Sequence, residues 1–160
     1  MSQVLTLWNK TSRLPAGKRM FSLLFAQKAP YFATIRPRFT EIRPHRAELV
    51  IPKRRGVHNH LGTVHAIALC NGLEAAMGAL AEATIRADKR WIPKGMEVAY
   101  TAKATSDITC VAETDAEQWS DDALPATGGD VAVRVRGVRD DGTVVIEGVI
   151  RLWVTPARRP

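Results

Sequence analysis

Hydrophobic residues follow two different spacings along the chain, and the change between them falls near residue 95. From Val64 to about Asp88 the chain is rich in Ala, Leu, Ile, Met and Gly, which predicts one long buried helix closed by the sequence WIPKG. Beyond it, apolar and polar residues alternate in the stretches 96–104, 108–114, 131–136 and 143–154. A period of two predicts strands with one buried and one more polar face, as in antiparallel sheets.

Shorter elements are predicted before the long helix. Residues 3–28 fit two short helices, which Pro15 and Gly17 separate. Two extended stretches follow, around Thr34–Ile42 and Ala47–Ile51. The sequence DDG predicts a tight hairpin between the last two strands, and WSDDALPATGG a longer loop before them. The chain is therefore expected to be an α+β protein in which a mostly antiparallel sheet of about six strands curls around a central helix.

One charged residue interrupts the apolar helix. Glu74 is the only charge between Ala66 and Ala81, and Asn71 is the only other strongly polar residue there. Burying a carboxylate without a partner is costly, so Glu74 either faces something that needs it or is satisfied locally. The structural alternative is a hydrogen bond from Asn71, one turn away, or from the backbone. Small residues on the same helix would let it lie close to a sheet: Ala68, Gly72, Ala75, Ala76, Ala79 and Ala83.

Composition and length narrow the class of protein. The chain has 160 residues, 46% of them hydrophobic and 24% charged, which is typical of one globular domain. The apolar run at 66–81 is shorter than a membrane span and contains Glu74, and the first residues lack the apolar core of a signal peptide. Cys70 and Cys110 lie among apolar neighbours with no pairing motif. We therefore expect a cytoplasmic protein with buried thiols.

The net charge of +7 is distributed unevenly. Between Arg36 and Arg55 there are seven basic residues against two acidic ones, which favours a phosphate-bearing partner. Nucleic acid, an anionic membrane surface and a nucleotide-tailed cofactor all fit, and so does a basic face that only contacts solvent. Binding of nucleic acid is disfavoured because no aromatic residues alternate with the basic ones and no known binding module is visible.

The sequence HNHLGTVH stands just before the long helix. Gly62 permits a tight turn there, and the first-turn amides near Val64 to Ile67 have no acceptor within the helix. Such amides suit a carbonyl oxygen that becomes negative during acyl transfer. His58, His60 and His65 have a spacing that could bind zinc, but no nearby Cys, Asp or Glu completes a site, so no metal is expected.

The residues of this region resemble those of a known family. Asn59 is followed six positions later by His65, and Glu74 comes nine positions after His65, which is similar to the helix signature of hotdog-fold acyl-CoA thioesterases of the phenylacetate-pathway (PaaI-like) branch. The segments APYF, NHLGTVHA and LCNGLEAA resemble an incompletely characterised subgroup of that branch. The resemblance implies a single hotdog domain over residues 1–160, with an N-terminal helical extension at 1–30 and a hotdog core at 31–155.

The resemblance also implies roles for individual residues. Glu74 matches the acid that attacks the thioester or activates water, Asn59 the residue that positions the water or carbonyl, and His65 the residue that braces the turn. The Ala66 amide matches the one that polarises the thioester oxygen. The substrate-binding residues are expected to be Gly62, Thr63, Val64, Ala66 and Asn71. The chain departs from the pattern where Ala66 and Ile67 replace the usual Gly pair, and where Glu replaces the more common Asp.

In this family the helix acid faces the loop of a second subunit, so the resemblance implies a homodimer or a tetramer. Coenzyme A would enter only as part of the substrate, with no separate cofactor, and Lys53, Arg54 and Arg55 are candidates to bind its phosphates. No nucleic-acid or membrane partner is expected. Two alternatives stay open: a non-catalytic protein that binds acyl-CoA or lipid, and a hotdog dehydratase in which His60 pairs with Glu74.

Overall fold

The computed structural model describes residues 2–125 and 127–157 of the chain. The helices are α1 (Gln3–Thr11), α2 (Gly17–Lys28) and α3 (Ala66–Thr84). The strands are β1 (Arg38–Arg43), β2 (Arg46–Ile51), β3 (Lys89–Tyr100), β4 (Ile108–Glu113), β5 (Gly129–Arg139) and β6 (Val144–Pro156). Short 3₁₀ helices lie at Pro30–Ile35, Arg55–Val57 and Ala116–Trp119.

The six strands form one antiparallel sheet in the order β1-β2-β4-β5-β6-β3. The turn between β5 and β6 contains Gly142 at φ +85°, a left-handed conformation that glycine adopts without steric cost. The expected α+β class, the antiparallel sheet of six strands and the hairpin at DDG are confirmed. The strand β3 lies at one edge of the sheet, although it follows α3 directly in the chain.

The helix α3 packs closely against the inner face of the sheet. A Cβ atom on Gly72 would overlap Ile51 Cδ1 and lie 2.8 Å from Cys110 Sγ, so any larger residue would force the buried side chains of β2 and β4 to shift. Leu73 and Met77 are completely buried beside it. Although α3 is long and apolar enough to cross a membrane, 67% of that stretch is buried inside the protein. Among the described residues, α3 is therefore the core helix of a globular fold.

The N-terminal helices pack at the β1 end of the sheet through aromatic side chains. The Phe21 ring lies 5.1 Å from Trp8 and 5.5 Å from Phe39, both edge to face. Ser22 adds a hydrogen bond, because its hydroxyl accepts from the Phe39 amide at 3.0 Å. These contacts attach the N-terminal helices to the rest of the core.

Three boundaries differ from the sequence-based expectation. The helix α3 is shorter than 64–88, because His65 caps its start and the backbone turns extended at Ile85. Pro93 and Gly95 do not close a helix but lie inside β3, where a register shift occurs between them. Proline is tolerated there because β3 is an edge strand. Thr34 and Ile35 belong to a 3₁₀ helix rather than to the first strand.

Candidate active site

The loop before α3 is a closed turn built by Asn59. The side-chain oxygen of Asn59 accepts hydrogen bonds from the amides of Leu61 and Thr63 at 3.0 and 3.2 Å. Its side-chain nitrogen donates to the Thr63 hydroxyl at 2.9 Å. Gly62 takes a positive φ of +73° at the tip of this turn. Because both polar groups of Asn59 are used locally, its contribution here is to set the shape of the loop.

His65 caps α3 and determines which amides stay free. Its Nδ1 atom accepts from the Ile67 amide at 3.0 Å, and the Leu69 amide donates to the His65 carbonyl at 3.1 Å. The amides of Ala66 and Ala68 have no acceptor among the described residues. Two donors are thus available at the positive end of the α3 dipole, next to a side chain that fixes the helix start.

One stripe of α3 faces the edge strand β3. Cys70 Sγ and the Tyr100 hydroxyl are 3.2 Å apart, and Glu82 accepts from Trp91 Nε1 at 3.0 Å. A Cβ atom on Gly78 would lie 3.5 Å from the Trp91 ring. Cys70, Gly78 and Glu82 fall on a series of positions four residues apart, and Glu74 fills the remaining position of that series, between Cys70 and Gly78. Glu74 therefore points toward the open edge of the sheet, because residues at this spacing share one helix face.

Glu74 is half-buried, neither sealed in the core nor fully exposed. Its carboxylate makes no hydrogen bond or ion pair with any described residue. The Asn71 side chain, which could have satisfied it, donates instead to the Thr34 hydroxyl at 3.1 Å and the Tyr31 carbonyl at 3.4 Å. The structural alternative for Glu74 thus has no support in the described residues.

Within one chain, Glu74 is far from the free amides. Glu74 comes eight positions after Ala66 and six after Ala68 on α3, which corresponds to about 12 and 9 Å along the helix axis. A carbonyl group, whose two atoms are about 1.2 Å apart, is short compared with both separations. Glu74 and the amides of the same helix therefore do not form one site by themselves.

A cavity of about 210 Å³ adjoins the start of α3. Its wall is made by the Pro30–Ile35 helix, the Gly56–His58 segment and the α3 residues Ile67, Ala68 and Asn71, together with His65. Two polar atoms near it, Asn71 Oδ1 and His58 Nε2, are buried and have no hydrogen-bond partner among the described residues. The cavity is mixed in character, since Ile35, Val57 and Ile67 contribute apolar surface beside these groups.

The three basic residues before the loop are not equivalent. A guanidinium nitrogen of Arg54 donates to the Thr34 carbonyl, which holds the Pro30–Ile35 helix against the loop. The Asp107 carboxylate accepts a hydrogen bond from the Lys53 backbone amide at 2.7 Å, so this contact does not involve the ammonium group of Lys53. Arg55 is exposed. Of the three, Lys53 and Arg55 are the ones whose side-chain charge is available to a ligand.

The expectation of two buried thiols is right for Cys110 and wrong for Cys70, which is only half-buried. Burial raises the pKa of the Cys110 thiol well above its ordinary value. The hydrogen bond with Cys70, assisted by partial burial, raises the pKa of Tyr100 to about 12. Tyr100 is therefore a neutral phenol at physiological pH.

Within residues 2–125 and 127–157, no group of three His, Cys, Asp or Glu side chains is arranged to hold a metal ion.

Two features of the site were not predicted from the sequence. The Pro30–Ile35 helix forms one wall of the cavity, although it lies more than 20 positions before the loop. The Cys70–Tyr100 contact was also missed, although the four-residue spacing of Cys70, Glu74, Gly78 and Glu82 is a signal that could have indicated a shared face. The substrate-binding residues expected at 62–66 lie together in the loop and helix start, and Asn71 lies at the cavity wall.

Comparison with solved structures identifies the fold. A structural-genomics target named APC5556 matches at 44% identity with a TM-score of 0.79, over 96% of this chain and 98% of that one. A Pseudomonas aeruginosa protein of unknown function, named a probable thioesterase, matches at 24% identity and a TM-score of 0.78, over 90% and 97%. A Haemophilus influenzae thioesterase matches at 9% identity and a TM-score of 0.66, over 79% and 82%. A search of curated proteins finds no match to this sequence.

These similarities, with a core helix wrapped by an antiparallel sheet, define a hotdog fold, which the chain shares with several proteins named as thioesterases. The model of the family "Domain of unknown function (DUF4442)" matches residues 17–154, and the chain belongs to that family. The expected resemblance to hotdog thioesterases is confirmed. The roles of individual residues and the acyl-CoA substrate stay predictions.

Proposed function

We propose that this protein hydrolyses acyl-CoA thioesters at a site shared by two copies of the chain. The observation that carries the proposal is Glu74, a half-buried carboxylate without a partner on the stripe of α3 that faces the sheet edge. An acid in this state can accept a proton from water. The thioesterase names of several structural neighbours support the same type of reaction.

The reaction requires one base and one set of hydrogen-bond donors. Glu74 removes a proton from water as the water oxygen attacks the thioester carbon. The amides of Ala66 and Ala68 donate to the carbonyl oxygen as it becomes negative. When the intermediate collapses, the carbon–sulfur bond breaks and the proton passes to the leaving thiolate. The products are a carboxylic acid and free coenzyme A. In an alternative course Glu74 attacks the carbon itself, the carbon–sulfur bond breaks and the coenzyme A thiolate leaves, and water then hydrolyses the resulting anhydride to the free acid and the regenerated Glu74 carboxylate.

A second copy completes the site. The edge strand β3 extends over Lys89–Tyr100, and Ile92 and Tyr100 are 59% and 52% exposed on it. A long, unpaired edge strand is a template for pairing with another chain. Two-fold pairing along β3 would place Glu74 of one copy near the helix start of the other, which overcomes the separation of about 12 Å within one chain. A tetramer would add a second interface to this homodimer.

The loop and cavity receive the rest of the substrate. Asn59 and His65 position the loop from Gly62 to Val64, against which the thioester lies. The cavity of about 210 Å³ beside Asn71 accepts part of the acyl group, and its size favours short or compact acyl chains. We expect the reaction to take place in the cytoplasm, with no cofactor other than the coenzyme A of the substrate.

Lys53 and Arg55 bind the phosphates of coenzyme A in this proposal, while Arg54 keeps its structural contact with Thr34. Replacing Arg55 by Ala should raise KM for an acyl-CoA about three- to tenfold, since a charge-assisted hydrogen bond at an exposed site is lost. KM for the same acyl group on pantetheine, which lacks the nucleotide, should not change. An equal effect on both substrates would contradict the assignment.

The function is tested by measuring thiol release from short, long and aromatic acyl-CoAs. Glu74→Gln keeps the size of the side chain and removes the base, so kcat/KM should fall about 10²–10⁴-fold. Glu82→Gln is a matched control on the same stripe, because its partner is Trp91 rather than substrate. Substrate binding without turnover by the wild-type protein would instead identify a non-catalytic acyl-CoA-binding protein. Equal loss in both variants would assign a structural role to Glu74.

A further inference from the structure

The excess positive charge lies entirely at the N-terminal end of the chain. The first 40 residues contain seven basic residues (Lys or Arg) and no acidic ones (Asp or Glu). The rest of the chain contains sixteen basic and sixteen acidic residues. Most of this basic segment is α1, α2 and the turn between them. The hotdog core is therefore balanced in charge, and the N-terminal helices form a separate cationic region that is built onto it.

The helix α2 is apolar on two opposite sides. One side carries Phe21 and Ala26, which are buried against the core. The other side carries Met20, Leu23 and Leu24, which are 45%, 61% and 42% exposed. This spacing places the three side chains together on one surface. Nothing in the described residues covers them, although a helix with apolar residues all round is normally buried.

Basic residues surround this exposed stripe. Arg19 lies beside the stripe, next to Met20 and one helical turn before Leu23. Arg13 precedes α2, and Lys28 is the last residue of α2. All three basic residues are exposed. None of them forms an ion pair with a described residue. Leu14, 56% exposed in the turn before α2, extends the apolar surface. We call the surface formed by Leu14, Met20, Leu23 and Leu24 with Arg13, Arg19 and Lys28 the N-terminal patch.

We propose that the N-terminal patch binds an anionic lipid membrane surface. Long aliphatic side chains next to lysine and arginine are the pattern of helices that lie in the membrane interface, where the apolar groups enter the acyl boundary and the bases contact anionic headgroups. The patch lacks acidic residues, which a negatively charged surface would repel.

This inference revises the expectation that no membrane partner exists. That expectation excluded a spanning segment and considered a membrane surface only for the basic residues between Arg36 and Arg55, whereas the N-terminal patch lies on α2 and the turn before it. The Pro30–Ile35 helix follows α2 directly and forms part of the cavity wall, so a docked protein would hold its candidate site near the membrane. The binding itself does not depend on the proposed reaction.

Vesicle sedimentation tests the proposal with the full chain. Vesicles of equal parts phosphatidylglycerol and phosphatidylcholine should bind the protein, and pure phosphatidylcholine should not. The double variant Leu23→Ser and Leu24→Ser should weaken partitioning at least ~10-fold, and Arg19→Glu by a similar factor. Two matched controls should stay within about twofold of wild type: Leu61→Ser, an equally exposed leucine, and Lys103→Glu, an exposed lysine elsewhere.

Three outcomes would overturn the proposal. The first is no binding to anionic vesicles. The second is vesicle binding that the double variant Leu23→Ser and Leu24→Ser leaves unchanged. Equal affinity of the protein for a polyglutamate peptide counts as the same outcome, because charge alone would then account for the binding. The third is an oligomer, detected by size-exclusion chromatography, that the double leucine variant dissociates, because the patch would then be a contact between copies. Circular dichroism of each variant verifies that the protein is folded.

Discussion

The two sides of α3 differ in how closely they pack against the sheet. Toward β2 and β4 it presents small residues, and at Gly72 even one additional methyl group has no space. Toward β3 it presents Cys70, Glu74, Gly78 and Glu82, with a half-buried carboxylate and ordinary contact distances. The first side is fully determined by packing. On the second side Cys70, Glu74 and Glu82 stay partly exposed within one chain, so this side is open to contact with another molecule, as the proposed shared site requires.

Apart from Glu74→Gln, the largest effect should come from removing one amide at the helix start. Ala66→Pro deletes the N–H donor at the first helical position, where proline is well tolerated and the extended His65 before it is compatible. We expect thioester hydrolysis to slow about 10²–10³-fold with little change in Tm. Ala66→Ser retains the amide and serves as the control. Equal activity of the proline and serine variants would contradict a catalytic role for this amide.

The two glycines of α3 should respond oppositely to the same substitution. Gly72→Ala would force a methyl group against Ile51 and Cys110, so it should destabilise the protein by about 1–2 kcal/mol. Gly78→Ala meets Trp91 at 3.5 Å, an ordinary contact. There the higher helix propensity of alanine should stabilise the protein by about 0.5–1 kcal/mol. Urea unfolding measures both, and effects of the same sign would show that the two sides do not differ in packing.

The smallest effect should come from the outer face of the sheet, away from both sides of α3. Burial acts to raise the pKa of Glu113, but hydrogen bonds from Arg136 and Arg46 outweigh it and lower the pKa below the usual 4.5. Stability from this carboxylate is therefore complete above pH 4.5 and is lost as the pH falls through the lowered pKa. Glu113→Gln should cost only ~0.3 kcal/mol at pH 7, and the difference should vanish in acid. A difference that does not depend on pH would contradict this.

Much of the fold could be predicted because buried apolar residues recur at regular spacings in the sequence of helices and strands. Alternation located β4, β5 and β6, and the uninterrupted apolar run located α3. The extent of β3 could not be read from the sequence, since Pro93 indicates a break unless the strand is known to lie at an edge. Edge position is a consequence of how all six strands assemble, so it leaves no local signal.

The candidate site was predictable only in part. Glu74 is conspicuous because it is the one charge in an apolar helix, and the free amides follow from the position of the helix start. The contribution of Tyr31 and Thr34 to the cavity wall depends on contacts over nearly 40 positions in the chain. The arrangement of two copies is likewise a property of surfaces, which a pattern of residues within one chain does not specify.

The most direct test of a shared site is a mixing experiment. Glu74→Gln and Ala66→Pro homodimers should each be almost inactive. When they are dissociated together and allowed to reassociate, each mixed dimer contains one site with both an intact Glu74 and an intact Ala66 amide. Activity should therefore recover to about a quarter of the wild-type value if pairing is random. If the mixed dimers form but stay inactive, Glu74 and the Ala66 amide do not act across two copies, and the account is wrong.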